Sequence, residues 1–461
     1  MTATTENGAA TLVLDIGKTN SKLLVMSKRG EVLGVLKTDS SALKGLPYLH
    51  LDTGRVWSWL LEAIAESVKS HRIDAIVTST HGCTAALVDE NDLVLPVMDY
   101  EVEVPEEVNR AFEPLIPPFR QTQTPDLPQG LNLARQLFWQ QCAFPDEFSR
   151  VKNILMYPQY FGWRLSGVAA GELTSVGCHT HLWHPGRRDF TELVDTQGWR
   201  ELFPPMRPAF EPLGPVVPEV ARETGLPADC MVYPGVHDSN ANFALYLRGH
   251  RTPFSLISAG TWVVIMSPRM PLDSLDPNRD TMAIVDVEGN PLPTARYMGG
   301  RDFELLTKGE GAGILFTEAD LLHVIEQGSF VLPSLTPGGP FMGRKREMRG
   351  SEPGKPAEAA ARATLYVALM TAASCRLMRT DGELIIDGGF ANNEWYCRLV
   401  AALTGHERCL VNPDSQGTAI GAGMLASWDL AEVDWPLQLR EIEPFAHAEL
   451  DRYRKTWEAA L

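Results

Sequence analysis

Residues 11–26 read TLVLDIGKTNSKLLVM. TLVLDI and KLLVM are apolar runs of strand length, and the polar, glycine-bearing GKTNS between them predicts a tight turn, so the stretch reads as a β-hairpin. Asp15 stands where the first strand meets the turn. Working outward, EVLGVLK (31–37) supplies a third strand after the turn at 28–30. RVWSWLLEAIAESVKSH (55–71) has apolar residues at helical spacing, and IDAIVTST (73–80) reads as a buried strand. A β-β-β-α-β order predicts a mixed sheet, one hairpin antiparallel, flanked by helices. GKT also resembles the end of a P-loop. That motif needs a glycine at position 12, where Leu12 stands, and a helix after the threonine, where a strand follows.

The pattern returns in the second half. After a proline-rich connection at 201–218, MVYPGV (231–236) reads as a strand and SNANFALYL (239–247) as a helix. Near Gly249 a second module begins. FSLISAG and TWVVIMS (254–267) are two apolar runs around a Gly-Thr turn, echoing the first hairpin. A long helix over 355–380, the strand ELIIDGG and a helix through NEWYCRLVAALTG (393–405) complete it. Two domains are expected, 1–248 and 249–461.

Five polar constellations fall at the ends of these strands. In DIGKTNSK (15–22), backbone N–H groups and hydroxyls can cradle phosphates while Asp15 holds Mg²⁺ through water; the plain alternative is a solvated hairpin turn. SAGTW (258–262) offers a similar turn, with Gly260 for close approach and the Thr261 hydroxyl. Two such turns, each heading one half, could clamp one polyphosphate. In PGVHDSNAN (234–242), Asp238 follows a strand at a helix N-terminus. It is either a helix cap or a general base taking a proton from an alcohol that attacks a phosphoryl group. DGGFANN (387–393) pairs glycines where a strand enters a helix, suited to a flat ring or to simple packing. THGC (80–83) ends a buried strand with His81, either a sugar-facing imidazole donor or a satisfied core histidine.

Composition narrows the classes. The chain has 461 residues, 44% hydrophobic, with a net charge of −17, which disfavours nucleic acid and anionic membrane as partners. Seven scattered cysteines without a Cys-x-x-Cys pair predict reduced thiols. MTATTENGAA lacks the regions of a signal peptide, and LYVALMTAASC (365–375), bounded by Arg362 and Arg376, reads as a buried helix. A cytoplasmic location is the expectation. His179, His181 and His184 cluster near Cys178, but no second cysteine or carboxylate at ligand spacing completes a zinc set, so surface or packing histidines are expected. The basic run GRKREMR (343–349) reads as a solvated loop, with help in binding nucleotide phosphates as the alternative.

Taken in order, the five constellations resemble the FGGY carbohydrate kinases of the actin, Hsp70 and sugar-kinase superfamily. The resemblance runs from Asp15 to Ala426, where DSQGTAIGAGMLA (414–426) looks like the family's late alanine- and glycine-rich helix. It implies two actin-like (ribonuclease H-like) α/β domains, each a mixed sheet flanked by helices, with a cleft between them. It implies an ATP-dependent kinase with Asp238 as base and Asp15 ordering Mg²⁺, assisted by Gly17, Lys18, Thr19, Asn20 and Lys22. Gly260 and Thr261 would hold phosphates, and Gly299, Gly388, Gly389, Asn392 and Asn393 would border the adenosine. His81, Gly82, His237 and Asp238 would face the sugar. Partners would then be ATP and a small-molecule sugar, with a homodimer an allowed assembly. Lys18 departs from the family's threonine, Trp262 replaces a smaller residue, and MDYE (98–101) stands where relatives carry Trp and Arg. The His-Asp pair looks most like the rhamnulose and fuculose kinases, which implies a ketose substrate, a 6-deoxyketohexose or a ketopentose. An actin-like ATPase and an inactive sugar-binding regulator are the competing readings.

Overall fold

The computed structural model describes residues 9–309, 313–413, 416–429 and 437–461. Asp414 and Ser415, which open the late glycine-rich run, and residues 1–8 lie outside these. The described chain divides into two compact units. The first comprises Met1–His250, Ala283–Pro291 and Gly417–Pro436; the second comprises Arg251–Met282, Leu292–Gln416 and Leu437–Leu461.

The first unit is built on the predicted β-β-β-α-β run: β1 (Ala10–Ile16), β2 (Asn20–Ser27), β3 (Val32–Asp39), α1 (Thr53–Ser67) and β4 (Ile73–Thr80). β1 lies between β2, antiparallel, and β4, parallel. That central place explains its unbroken apolar run, since all of it is buried except half-buried Asp15. β3, at the edge, alternates half-buried and exposed residues instead. Helix α1 starts at Asp52, whose side chain accepts from the Arg55 N–H, and buries Val56, Leu60, Ala63 and Ile64 along one stripe. The short strands Met231–Val232 and Val236–His237 add to β4 in parallel, which brings the chain to the head of helix Asp238–Gly249.

The helix Gly417–Met424 also belongs to this first unit, a departure from the single expected boundary at 248/249. A Cβ on Gly421 would lie 1.9 Å from the Ala241 carbonyl oxygen, and one on Gly423 would lie 1.8 Å from Met26 Cε. The glycine-rich face therefore lets this helix lie flush on helix Asp238–Gly249 and on the sheet.

The second unit repeats the design. Strand Phe254–Ala259 pairs antiparallel with Val263–Met266 and parallel with Glu383–Asp387. Val263–Met266 pairs antiparallel with Pro291–Tyr297, and Glu383–Asp387 pairs parallel with Cys409–Val411. The helix Pro356–Leu377 is buried along most of its length, as its apolar run predicted. Of the basic run, Glu347–Arg349 forms a strand paired with Phe330–Leu332 rather than a loop. Among the described residues no helix is long and apolar enough to cross a membrane, and all seven cysteines are free.

Candidate active site

In the first unit the turn after β1 is closed by Gly17 N–H donating to the Asn20 carbonyl at 3.0 Å, and Ser40 braces it from outside through its hydroxyl and its N–H. Thr19 and Asn20 are exposed at its tip. Lys22 sits directly across the hairpin from Asp15. Burial and the nearby Asp238 carboxylate push the pKa of Asp15 up to about 6, against the opposing pull of Lys22. Two carboxylates from distant parts of the sequence thus share one field.

Asp238 is the first residue of helix Asp238–Gly249, where the N-terminal dipole favours its charge. Its Oδ1 accepts from the Ser239 N–H at 2.6 Å and lies 3.1 Å from His237 Nε2. His237 is buried and held from several sides. Its N–H donates to Thr174 Oγ1 at 3.0 Å, Nδ1 lies 2.5 Å from Asn240 Oδ1, and Nε2 lies 3.3 Å from Cys178 Sγ. Burial alone would lower its pKa, but Cys178, Asp238 and these hydrogen bonds outweigh burial and push it up to about 9. His81, also buried, goes the other way: desolvation holds its pKa down and keeps it neutral. Its Nδ1–H donates to the Gly82 carbonyl at 3.2 Å. Nε2 is therefore a lone-pair acceptor, where the sequence suggested a donor. The imidazole stands edge-on to Tyr100, with ring centroids 5.2 Å apart.

Lys18 does not reach into open solvent. Its ammonium pairs with the buried Asp99 carboxylate, lies 3.4 Å from Glu101 and sits 4.4 Å above the Tyr100 ring. The turn and the MDYE segment, which the sequence assigned to phosphate and sugar separately, are joined by this one cation. Gly82 has no room for a side chain: a Cβ there would lie 2.8 Å from Cys178 Sγ and 3.1 Å from the His237 ring. The sequence placed Cys178 with His179, His181 and His184. The structure joins it to His179 and, from elsewhere in the chain, to Cys83, while burial of His181 pushes its pKa down to about 4.

In the second unit the glycines expected around a nucleotide come together on one strand end. Gly260 N–H closes its turn on the Trp262 carbonyl at 2.8 Å, leaving Thr261 exposed. Gly299 and Gly300 open helix Gly299–Leu306, and Gly300 N–H donates to the Thr261 carbonyl at 3.1 Å. A Cβ on Gly300 would lie 2.5 Å from the Gly260 carbonyl oxygen. Gly388, with φ of +93°, turns over Ala259, and Gly389 and Asn392 are exposed beside it. Asn393 is occupied: Oδ1 caps helix Glu394–Thr404 through the Tyr396 N–H at 3.1 Å, and Nδ2 donates to Thr364 Oγ1 at 3.4 Å. The indole of Trp262 is covered by Arg296, 4.9 Å away, which also pairs with Asp280. Gly300 and the Lys18–Asp99 pair were not foreseen from sequence.

Comparison with known proteins bears on the family and the fold. Residues 10–244 match the model of the FGGY family of carbohydrate kinases, N-terminal domain, and residues 251–433 match that of the carbohydrate kinase FGGY, C-terminal domain. A crystal structure of a carbohydrate kinase from Novosphingobium aromaticivorans is 32% identical and superimposes with a TM-score of 0.88, covering 98% of both chains. A ligand-bound xylulose kinase from Lactobacillus acidophilus, 16% identical with a TM-score of 0.81 over 98% of this chain and 96% of its own, shares the fold. The L-fuculokinase of Salmonella typhi is 27% identical over 271 residues, 55% of this chain and 56% of the relative. The chain thus spans little more than half the length of the curated relatives it matches.

Proposed function

The chain belongs to the FGGY family of carbohydrate kinases, and on that premise we propose that it transfers the γ-phosphoryl group of ATP to a hydroxyl of a ketose. The observation that carries this reading is the pairing of Asp238 with Asp15. One carboxylate heads a helix beside a buried imidazole, and the other ends a strand at a phosphate-type turn; the strands leading to them flank β4, where Asp15 and Val236 are both in register with Ser79. Phosphoryl transfer needs these two roles, a base for the acceptor alcohol and a group that orders the phosphates.

Asp238 takes the proton of the acceptor hydroxyl as it attacks. His237, whose pKa is pushed up to about 9, lies 3.1 Å away and restrains that carboxylate. Asp15 and Asp238 suit Mg²⁺: both are hard oxygen donors, and a cation would offset the burial and the Asp238 repulsion that raise the pKa of Asp15. Bound there, Mg²⁺ would neutralise charge on the phosphates. His81 accepts a hydrogen bond from a sugar hydroxyl through Nε2, and the Lys18–Tyr100–Asp99 group walls the acceptor side. In the second unit, Gly260 and Thr261 would face phosphate, and the turn of Gly388 and Gly389 would face the nucleoside. The substrate class is a 6-deoxyketohexose or a ketopentose; resemblance to an L-fuculokinase and the His237–Asp238 pair support the first.

A coupled assay for ADP across a panel of ketoses, with Mg²⁺, tests the proposal. Sugar-dependent ADP release for at least one 6-deoxyketohexose or ketopentose is the expected result. ATP hydrolysis at one rate with every sugar and with none would replace it by the plain ATPase reading.

A further inference from the structure

Three donor groups, two adjacent in the chain and the third 95 residues before Cys178, meet in the first unit. The sulfurs of Cys83 and Cys178 and a ring nitrogen of His179 all lie within 4.8 Å of one another. Cys83 Sγ is 2.7 Å from Nδ1 and 3.7 Å from Nε2 of His179. Both thiols are buried, and the half-buried imidazole is the member in contact with solvent.

The surroundings hold this cluster in a costly shape. Cys83 has φ of +56° and His179 φ of +37°, left-handed conformations that are costly in non-glycine residues and persist where neighbours over-determine them. Gln136 Nε2 donates to the Cys83 carbonyl at 2.7 Å, and Asn132 Nδ2 donates to the His179 carbonyl at 3.0 Å. Both amide side chains are buried. The absence of a side chain at Gly82 leaves Cys178 its space.

Two sulfurs and one imidazole are a soft donor set, poorly matched to Mg²⁺ or Ca²⁺ and well matched to Zn²⁺ and its relatives. Zn–S bonds of about 2.3 Å and Zn–N bonds of about 2.0 Å set donors roughly 3.5–3.8 Å apart in a tetrahedral site.

We propose that Cys83, Cys178 and His179 form a binding site for one zinc-class divalent cation, with its fourth position open to water. Each thiol gives up a proton to solvent as the ion binds. The site touches the reaction through one residue: Cys178 Sγ lies 3.3 Å from His237 Nε2, itself 3.1 Å from Asp238. Occupancy withdraws that sulfur from His237, so the cation inhibits turnover; this consequence, unlike the binding itself, rests on the kinase reading above.

Titration of the reduced full-length protein with Co²⁺ tests the site directly, through the sulfur-to-cobalt charge-transfer absorption. One equivalent per chain should develop the band, and Zn²⁺ should abolish it. Cys83→Ser and Cys178→Ser should lose it, while Cys142→Ser, an exposed cysteine outside the cluster, should keep it. Should a buried serine variant fail the circular-dichroism check for folding, His179→Gln at the half-buried position serves instead, with affinity lowered about tenfold or more. Asp238→Asn should keep the band although turnover is lost, which separates failure of the site from failure of the kinase reading. No band in the wild type, or a band unchanged in every folded cluster variant, overturns the proposal.

Discussion

Lys18 and Asp99, 81 residues apart in the chain, form an ion pair whose carboxylate is wholly buried and whose lysine side chain keeps 23% of its exposure. Asp99 also accepts from the Glu101 N–H at 2.7 Å, so its charge is met by two partners. The pair ties the turn after β1 to the segment beside His81.

Removing one partner of a buried pair strands the other, a cost of about 3–5 kcal/mol in a fully buried site and less where one side reaches water. Lys18→Thr is therefore expected to lose about 2 kcal/mol in urea denaturation, and adding Asp99→Asn should recover much of it. A Lys18→Thr protein as stable as its parent would show that the cation does no structural work here.

Asp238→Asn keeps the shape of the helix start but removes the base. Turnover should fall by about 10²–10⁴, with ATP and sugar affinities nearly unchanged in equilibrium binding. Near-normal turnover with a saturating substrate would falsify the assignment of Asp238.

The places of these residues in the fold were legible in the sequence to different degrees, for physical reasons. β1 could be read because a strand covered on both faces must be apolar throughout, and Asp15 stood out at its end. Asp238 could be placed because the strand and helix around it are local. Lys18 could not, since its partner comes from elsewhere and spacing carries no trace of it. The histidines at 179, 181 and 184 could be read only as a cluster near Cys178: His179 has φ of +37° and His181 φ of +66°, and no regular periodicity predicts where such side chains go. Cys83 and Cys178 lie 95 residues apart, and only the fold brings them together.

Gly300→Ala probes the second unit alone. A Cβ 2.5 Å from the Gly260 carbonyl and 2.9 Å from Thr261 Cα meets backbone that cannot swing aside, so the Gly260–Thr261 turn must shift. The expected result is a raised KM for ATP, by about tenfold, with the KM for sugar little changed. Equal loss for both substrates, or for neither, would mean that this turn does not meet the nucleotide.

The last prediction follows from the position of Asp15. Its carboxyl titrates near 6 in the folded protein against 3.8 for the ordinary group. Below about pH 3.8 both folded and unfolded chains hold the proton, and Asp15 has no effect on stability. Between 3.8 and 6 the unfolded chain has released it and the folded one has not, so stability falls as pH rises through this window. Above 6 the folded protein carries a constant cost, roughly 1–3 kcal/mol, with half-burial placing it below the full value of the shift. Asp15→Asn removes that cost while also removing the group that would order the phosphates. The variant should therefore be the more stable protein at pH 7.5, equal to wild type near pH 4, and almost inactive at both. Wild-type kcat/KM for ATP should fall as pH drops below about 6, where the free enzyme takes up the Asp15 proton. Denaturation midpoints at the two pH values decide the matter: an Asp15→Asn protein less stable than wild type at pH 7.5 would mean that this carboxylate supports the fold instead of straining it.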